Sequence, residues 1–146
     1  MKKTIQFFTL LLLITGISSC GSDNKKEEKG QDATESMVKK YNDDGILSSV
    51  NPVDEDGYVH GVKTNFYEDG KTIHSKVTYD HGRKHGPALW YYKNGQIHEH
   101  TSFSFGRKQG LTKKYYPTGE LMEELNYEKG EVQPGGKKYK RSGEAK

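Results

Sequence analysis

The sequence predicts an all-β fold: an elongated, single-layer antiparallel sheet of stacked 24-residue β-hairpins, preceded by a disordered tether. Three observations predict it. Glycines and aromatics recur at a spacing of 24, as at Gly82, Gly106 and Gly130, or Tyr91, Tyr115 and Tyr139. Within the copies, Asn94-Gly95 and Thr118-Gly119 separate two runs rich in aromatic and β-branched residues, which is a hairpin signal. Aliphatic material is too scarce for two packed layers, with 18 Ile, Leu, Val and Phe residues among the 126 that follow Cys20. So few would suit a disordered chain if the charge were high, but the charge is low and the aromatics are periodic.

The chain has 146 residues, enough for one small domain. Met1-Lys2-Lys3 is a short positive start, residues 7–14 are apolar but too few to span a bilayer stably, and Gly16, Ser18 and Ser19 are small. Residues 1–19 therefore read as a cleaved signal peptide. Losing Lys2 and Lys3 leaves 21 basic against 20 acidic residues, so the net charge falls from +3 to +1. That leaves no electrostatic footprint for a phosphate backbone, and nucleic acid is not an expected partner. Cys20 is the one cysteine, which excludes an internal disulfide, a multi-cysteine zinc site and a cysteine nucleophile in the globular part. After Cys20, residues 21–36 are polar except for Ala33 and cannot bury enough to offset the entropy of ordering. Residues 20–36 are read as a flexible linker and 37–146 as the repeat domain.

Two copies of the repeat are complete, 82–105 and 106–129; a third, 57–81, carries one extra residue, and partial copies occupy about 41–56 and 130–143. Setting Lys93 opposite Gln96 puts Tyr92 opposite Ile97 and Gly86 opposite Phe103. The same register in the next copy puts Tyr116 opposite Leu121, Lys114 opposite Glu123, Lys113 opposite Glu124 and Gly110 opposite Tyr127, and in the first copy Tyr67 opposite Ile73 and Gly61 opposite Tyr79. Opposite charges and repeated aromatic–glycine pairs support it. Alternation then sorts the faces. One face collects Tyr67, Tyr92, Tyr116, Ile73, Ile97, Leu121, Tyr79, Phe103, Tyr127, Val77, Leu125 and Trp90 as a buried stripe. The other carries Phe66, Tyr91 and Tyr115 beside His74, His98 and Met122. A lone hairpin is marginal in water, so the units are expected to stack side by side.

No catalytic residues are expected. Glu123 and Glu124 alternate to opposite faces, no serine has an acid–base partner spaced to activate it, and no helix follows the glycines to cradle a phosphate. All six histidines lie between residues 60 and 100. His74 and His98 fall two strands apart, about 9.5 Å at the usual strand spacing, too far for one zinc ion. His98 and His100 share a face without an evident third ligand. Neither a metal site nor a cofactor is expected.

Two resemblances complete the reading. Ile17-Ser18-Ser19-Cys20 resembles the bacterial lipobox, which implies cleavage before Cys20, lipidation of its thiol, and a lipid anchor in the cell envelope, the outer membrane in particular, facing the periplasm or the surface. Gly82-Arg83-Lys84-His85-Gly86 with Trp90-Tyr91-Tyr92-Lys93-Asn94-Gly95, and Gly106-Arg107-Lys108-Gln109-Gly110 with Tyr115-Tyr116-Pro117-Thr118-Gly119, resemble the MORN-repeat variant over roughly residues 41–143. Bacterial proteins of this arrangement are widely labelled YwqK-type antitoxins. The resemblance implies an open repeat sheet for protein or lipid contact, without catalytic residues. The expected function is a non-catalytic envelope lipoprotein that offers Phe66, Tyr91, Tyr115, His74 and His98 to a protein partner. One alternative is an antitoxin or immunity protein whose partner is a toxin; another is a glycan-binding surface lipoprotein.

Overall fold

The computed structural model describes residues 36–142, all of them within one compact unit, Asp32–Lys146. The expected signal peptide, Cys20, the part of the expected linker up to residue 35 and Gly143 lie outside the described residues. Every regular element among the described residues is a strand: β1 (Ser36–Tyr41), β2 (Leu47–Val53), β3 (Gly61–Phe66), β4 (Ile73–Asp80), β5 (Arg83–Tyr91), β6 (Ile97–Ser104), β7 (Arg107–Lys108), β8 (Gly110–Tyr115), β9 (Leu121–Glu128), β10 (Glu131–Val132) and β11 (Lys137–Lys138). They form one open antiparallel sheet of 11 strands. Its neighbours run in chain order from β1 to β6, then β8, β9 and β10, with β7 beside β6 and β11 beside β9. From β1 to β6 short connections pair each strand with its neighbours in the chain.

From β3 onward two kinds of turn alternate along the chain. Inside a repeat, the Gly95 N–H donates to the Tyr92 carbonyl at 2.9 Å and the Tyr92 N–H to the Gln96 carbonyl at 2.8 Å. Gly95 has φ +85°, whereas Asn94 is not among the residues with positive φ. The reversal is therefore centred on Lys93 and Asn94, with Gly95 opening a bulge, and not on Asn94-Gly95. This shifts the expected register by one residue at the turn end. Tyr91 faces Ile97, Tyr115 faces Leu121 and Phe66 faces Ile73, in place of Tyr92, Tyr116 and Tyr67. Beyond the bulge the expected register is present: Gly86 faces Phe103, Gly61 faces Tyr79, Gly110 faces Tyr127, Lys113 faces Glu124 and Lys114 faces Glu123.

Between repeats the turn has two residues, both with positive φ: His81 and Gly82 at 42° and 78°, Phe105 and Gly106 at 47° and 86°, Lys129 and Gly130 at 53° and 95°. This is the backbone whose twist matches that of the flanking strands. It closes Asp80 onto Arg83, Ser104 onto Arg107 and Glu128 onto Glu131.

The centre of the sheet is a row of short side chains, Val77, Ala88, Thr101, Thr112 and Leu125, on successive strands β4, β5, β6, β8 and β9. Thr101 is 0% exposed, and Ala88 and Thr112 are each 1% exposed. The Thr101 and Thr112 hydroxyls hydrogen-bond each other, which satisfies two polar groups that would otherwise be costly to bury. The Trp90 and Phe103 rings lie 6.3 Å apart, two residues to either side of the Ala88–Thr101 pair on the same face. The large rings of the expected buried stripe are only half-buried. With no second layer, short side chains are shaded by their own neighbours, while long ones have nothing above them. Nor do rings fill the strand glycines: a Cβ at Gly86 would meet Thr78, and one at Gly110 would meet nothing within 4 Å. Phe103 and Tyr127 instead lie beneath the ammonium groups of Lys84 and Lys108, at 5.0 and 5.1 Å.

Candidate functional site

Tyrosines stitch each repeat to the next. The Tyr67 hydroxyl donates to the Tyr91 carbonyl at 2.6 Å, Tyr92 to Tyr115 at 2.8 Å and Tyr116 to Tyr139 at 3.1 Å. The second residue of each aromatic pair, Phe66-Tyr67, Tyr91-Tyr92 and Tyr115-Tyr116, thus fixes the backbone of the repeat that follows, while the residue before it faces Ile73, Ile97 or Leu121 across the strand pair.

Phe66, Tyr91 and Tyr115 occupy equivalent, half-buried positions. Tyr91 lines a shallow groove of about 370 Å³ together with Lys71, Thr72, Ile73, Lys76 and Gly95. His74 and His98 are the extra residues at the register shifts opposite Phe66 and Tyr91. The His74 ring stands 4.9 Å from Tyr67 and the His98 ring 4.7 Å from Tyr92, residues that alternation assigns to the other face. The bulge is the reason: two residues oppose one at that point, and strict alternation is lost. A second groove of about 220 Å³ lies two repeats further on, between Tyr116, Met122, Glu123, Lys138 and Tyr139, with Met122 where the earlier copies have histidine.

Charges on the sheet are paired across strands. Lys108 Nζ reaches Glu99 at 2.5 Å, Lys114 Nζ reaches Glu123 at 2.8 Å and Lys113 Nζ reaches Glu124 at 3.4 Å. The Lys114 hydrogen bond holds the Glu123 carboxyl below the ordinary carboxylate range. The Tyr139 hydroxyl, 2.9 Å from Glu124, does the same to that carboxyl. Both glutamates are thus committed to structural partners and face away from each other.

Sequence reasoning missed an apolar component. Val62 and Leu111 are 50% and 51% exposed on β3 and β8, and each lies on the same face as Tyr91 and Phe66. A single layer leaves both uncovered, since among the described residues no second layer packs on that face. The edge strand β1 is exposed along its whole length, with Met37 and Tyr41 each 59% exposed.

The windows that hold β5 with β6 and β8 with β9 are those that a known family describes. The MORN repeat variant family model matches residues 84–104 and 108–129. The MORN-like pairing extends beyond those windows: β3 and β4 repeat it, with Gly61 facing Tyr79 and Phe66 facing Ile73. No curated protein matches the chain significantly.

Proposed function

We propose that this chain is a non-catalytic contact module: an envelope lipoprotein held by lipid on Cys20, whose MORN-like sheet receives a protein partner on the face that carries Phe66, Tyr91 and Tyr115. The MORN repeats at 84–104 and 108–129 support the general class, since such repeats serve protein and membrane contact. The observation that carries the reading is the half-buried aromatic row itself, with exposed Val62 and Leu111 on the same face and a shallow groove beside Tyr91. Open apolar area rimmed by charge suits a macromolecular surface better than a small substrate. His74 and His98, packed on Tyr67 and Tyr92, would meet the partner from the rim. The test is a paired substitution. Tyr91→Ala with Tyr115→Ala is expected to abolish recovery of a partner from detergent-solubilised envelopes, and unchanged recovery would refute this surface. Cys20→Ala is expected to release the chain from the membrane fraction.

A second reading, an antitoxin or immunity protein that masks a toxin, is favoured by β1, a six-residue exposed strand at the end of the sheet. Such an edge can be extended by a partner's strand. It predicts that Val38→Pro, which removes a donor from the edge, weakens the complex while Tyr91→Ala does not.

A further inference from the structure

Four polar side chains converge where the end of β2 meets the turn between β4 and β5. Asp54 follows β2 and closes its own turn, its carbonyl accepting from the Gly57 N–H at 3.0 Å and its Oδ1 from the Tyr58 N–H at 2.8 Å. Its other oxygen, Oδ2, is buried with no hydrogen-bond partner. An anionic oxygen placed so is costly unless a positive charge sits against it. His81 Nε2 lies 3.8 Å away. The other nitrogen of that ring, Nδ1, is 2.7 Å from Asp80 Oδ1; in the tautomer that donates its proton from Nδ1 to Asp80, the Nε2 lone pair is left toward Asp54. His60, immediately before β3, stacks edge-on against His81 with ring centres 4.9 Å apart. Its Nδ1 is 3.4 Å from the same Asp80 oxygen and is itself buried without a hydrogen bond. One ligand atom each from Asp54, His60 and His81 lie within 4.8 Å of one another.

The next two junctions have the same backbone and different chemistry. At the positions of His60 and His81 the second has His85 and Phe105, with rings 5.0 Å apart. The third has Gln109 and Lys129, where the Lys129 N–H donates to Gln109 Oε1 at 3.0 Å. Repeat packing thus requires neither two imidazoles nor the carboxylates around them.

We propose that Asp54, His60 and His81 bind one divalent transition-metal ion, zinc in particular, with Asp80 positioning His81 from behind. Two imidazoles and a carboxylate are the donor set of such ions, and all-oxygen coordination, which calcium and magnesium favour, is absent from this cluster. Tetrahedral ligands at about 2.0–2.1 Å from zinc stand roughly 3.3 Å apart. The separations here close to that by small side-chain rotations, which the exposed His81 ring permits. Three protein ligands leave the fourth position to water, and the carboxylate–histidine–metal relay through Asp80 is the usual means of holding such a ring.

The test is titration of the chelator-treated full chain with zinc chloride, and with cobalt(II) to read its visible absorption. One ion per chain is expected. His81→Asn and Asp54→Asn should each weaken binding at least tenfold; Asn accepts the left-handed backbone of residue 81, and far-UV circular dichroism verifies the fold of each variant. Asp80→Asn should weaken it about 10- to 100-fold. His85→Ala, His98→Ala and Cys20→Ser should leave it unchanged. Absence of saturable binding, binding that survives both His81→Asn and Asp54→Asn in folded protein, or binding lost on Cys20→Ser or His98→Ala would each overturn the proposal. None of these outcomes depends on the aromatic row or on a protein partner.

Discussion

The centre of the sheet and the junction at His81-Gly82 obey different rules. Along the central row, Val77, Ala88, Thr101, Thr112 and Leu125 are all small or of moderate size, because each is covered only by side chains of the adjacent strands. At the junctions the backbone is the same three times over, but the side chains beside it are His60 and His81, then His85 and Phe105, then Gln109 and Lys129. The repeat fixes volume at its middle and only backbone conformation at its turns. Chemistry can therefore vary at the turns without disturbing the sheet, and the first junction has gathered two imidazoles and two carboxylates there.

The contrast can be broken most severely in the middle. Thr101→Val leaves the Thr112 hydroxyl buried without its partner and is expected to cost about 1–3 kcal/mol in urea denaturation; adding Thr112→Val should restore most of that loss, since both hydroxyls are then gone. Tyr92→Phe removes the hydroxyl that reaches the Tyr115 carbonyl and should cost about 1 kcal/mol, half-way between centre and turn in effect. At the turn ends the expected changes are smaller. Asp69 accepts hydrogen bonds from the Thr72 hydroxyl and from the N–H groups of Lys71 and Thr72, which lower its carboxyl from 3.8 to about 2. The stabilisation this gives is complete above the unfolded value of 3.8 and is lost as pH falls through about 2. Carbon-detected NMR titration of that carboxyl should find the low midpoint, and Asp69→Asn should flatten the acid limb of stability between those values. Smallest of all, His81→Asn in metal-free protein should change stability by less than about 0.5 kcal/mol, because the ring is exposed. A large loss there would show that the first junction is packed like the centre.

The repeat was legible because its glycines mark turns that need positive φ, a backbone demand that shows directly in residue identity. The register was legible away from the turns because Lys113 with Glu124, and Lys114 with Glu123, are complementary only when opposite each other. Near Gly95 it was not, since an Asn-Gly pair suits either a two-residue reversal or a glycine bulge, and the choice rests on whether Asn94 itself enters the left-handed region. The register shift opposite Phe66 in one copy and that opposite Tyr91 in the next set His74 against Tyr67 and His98 against Tyr92. The imidazole–carboxylate cluster escaped for a related reason. Strand spacing was applied to His74, His98 and His100, whereas Asp54, His60 and His81 belong to turns and strand ends, whose meeting follows from how neighbouring hairpins close rather than from any period.

The two-residue junction turns also govern how such a chain can change in length. Each needs only two adjacent residues in the left-handed region and hands the next strand over in register. Duplicating or excising a block of 24 residues between one such turn and the next would add or remove two strands while leaving both cut ends matched. Copy number is the coordinate along which relatives of this sheet can diverge most cheaply, and a cluster confined to one junction stays unique while the array around it grows.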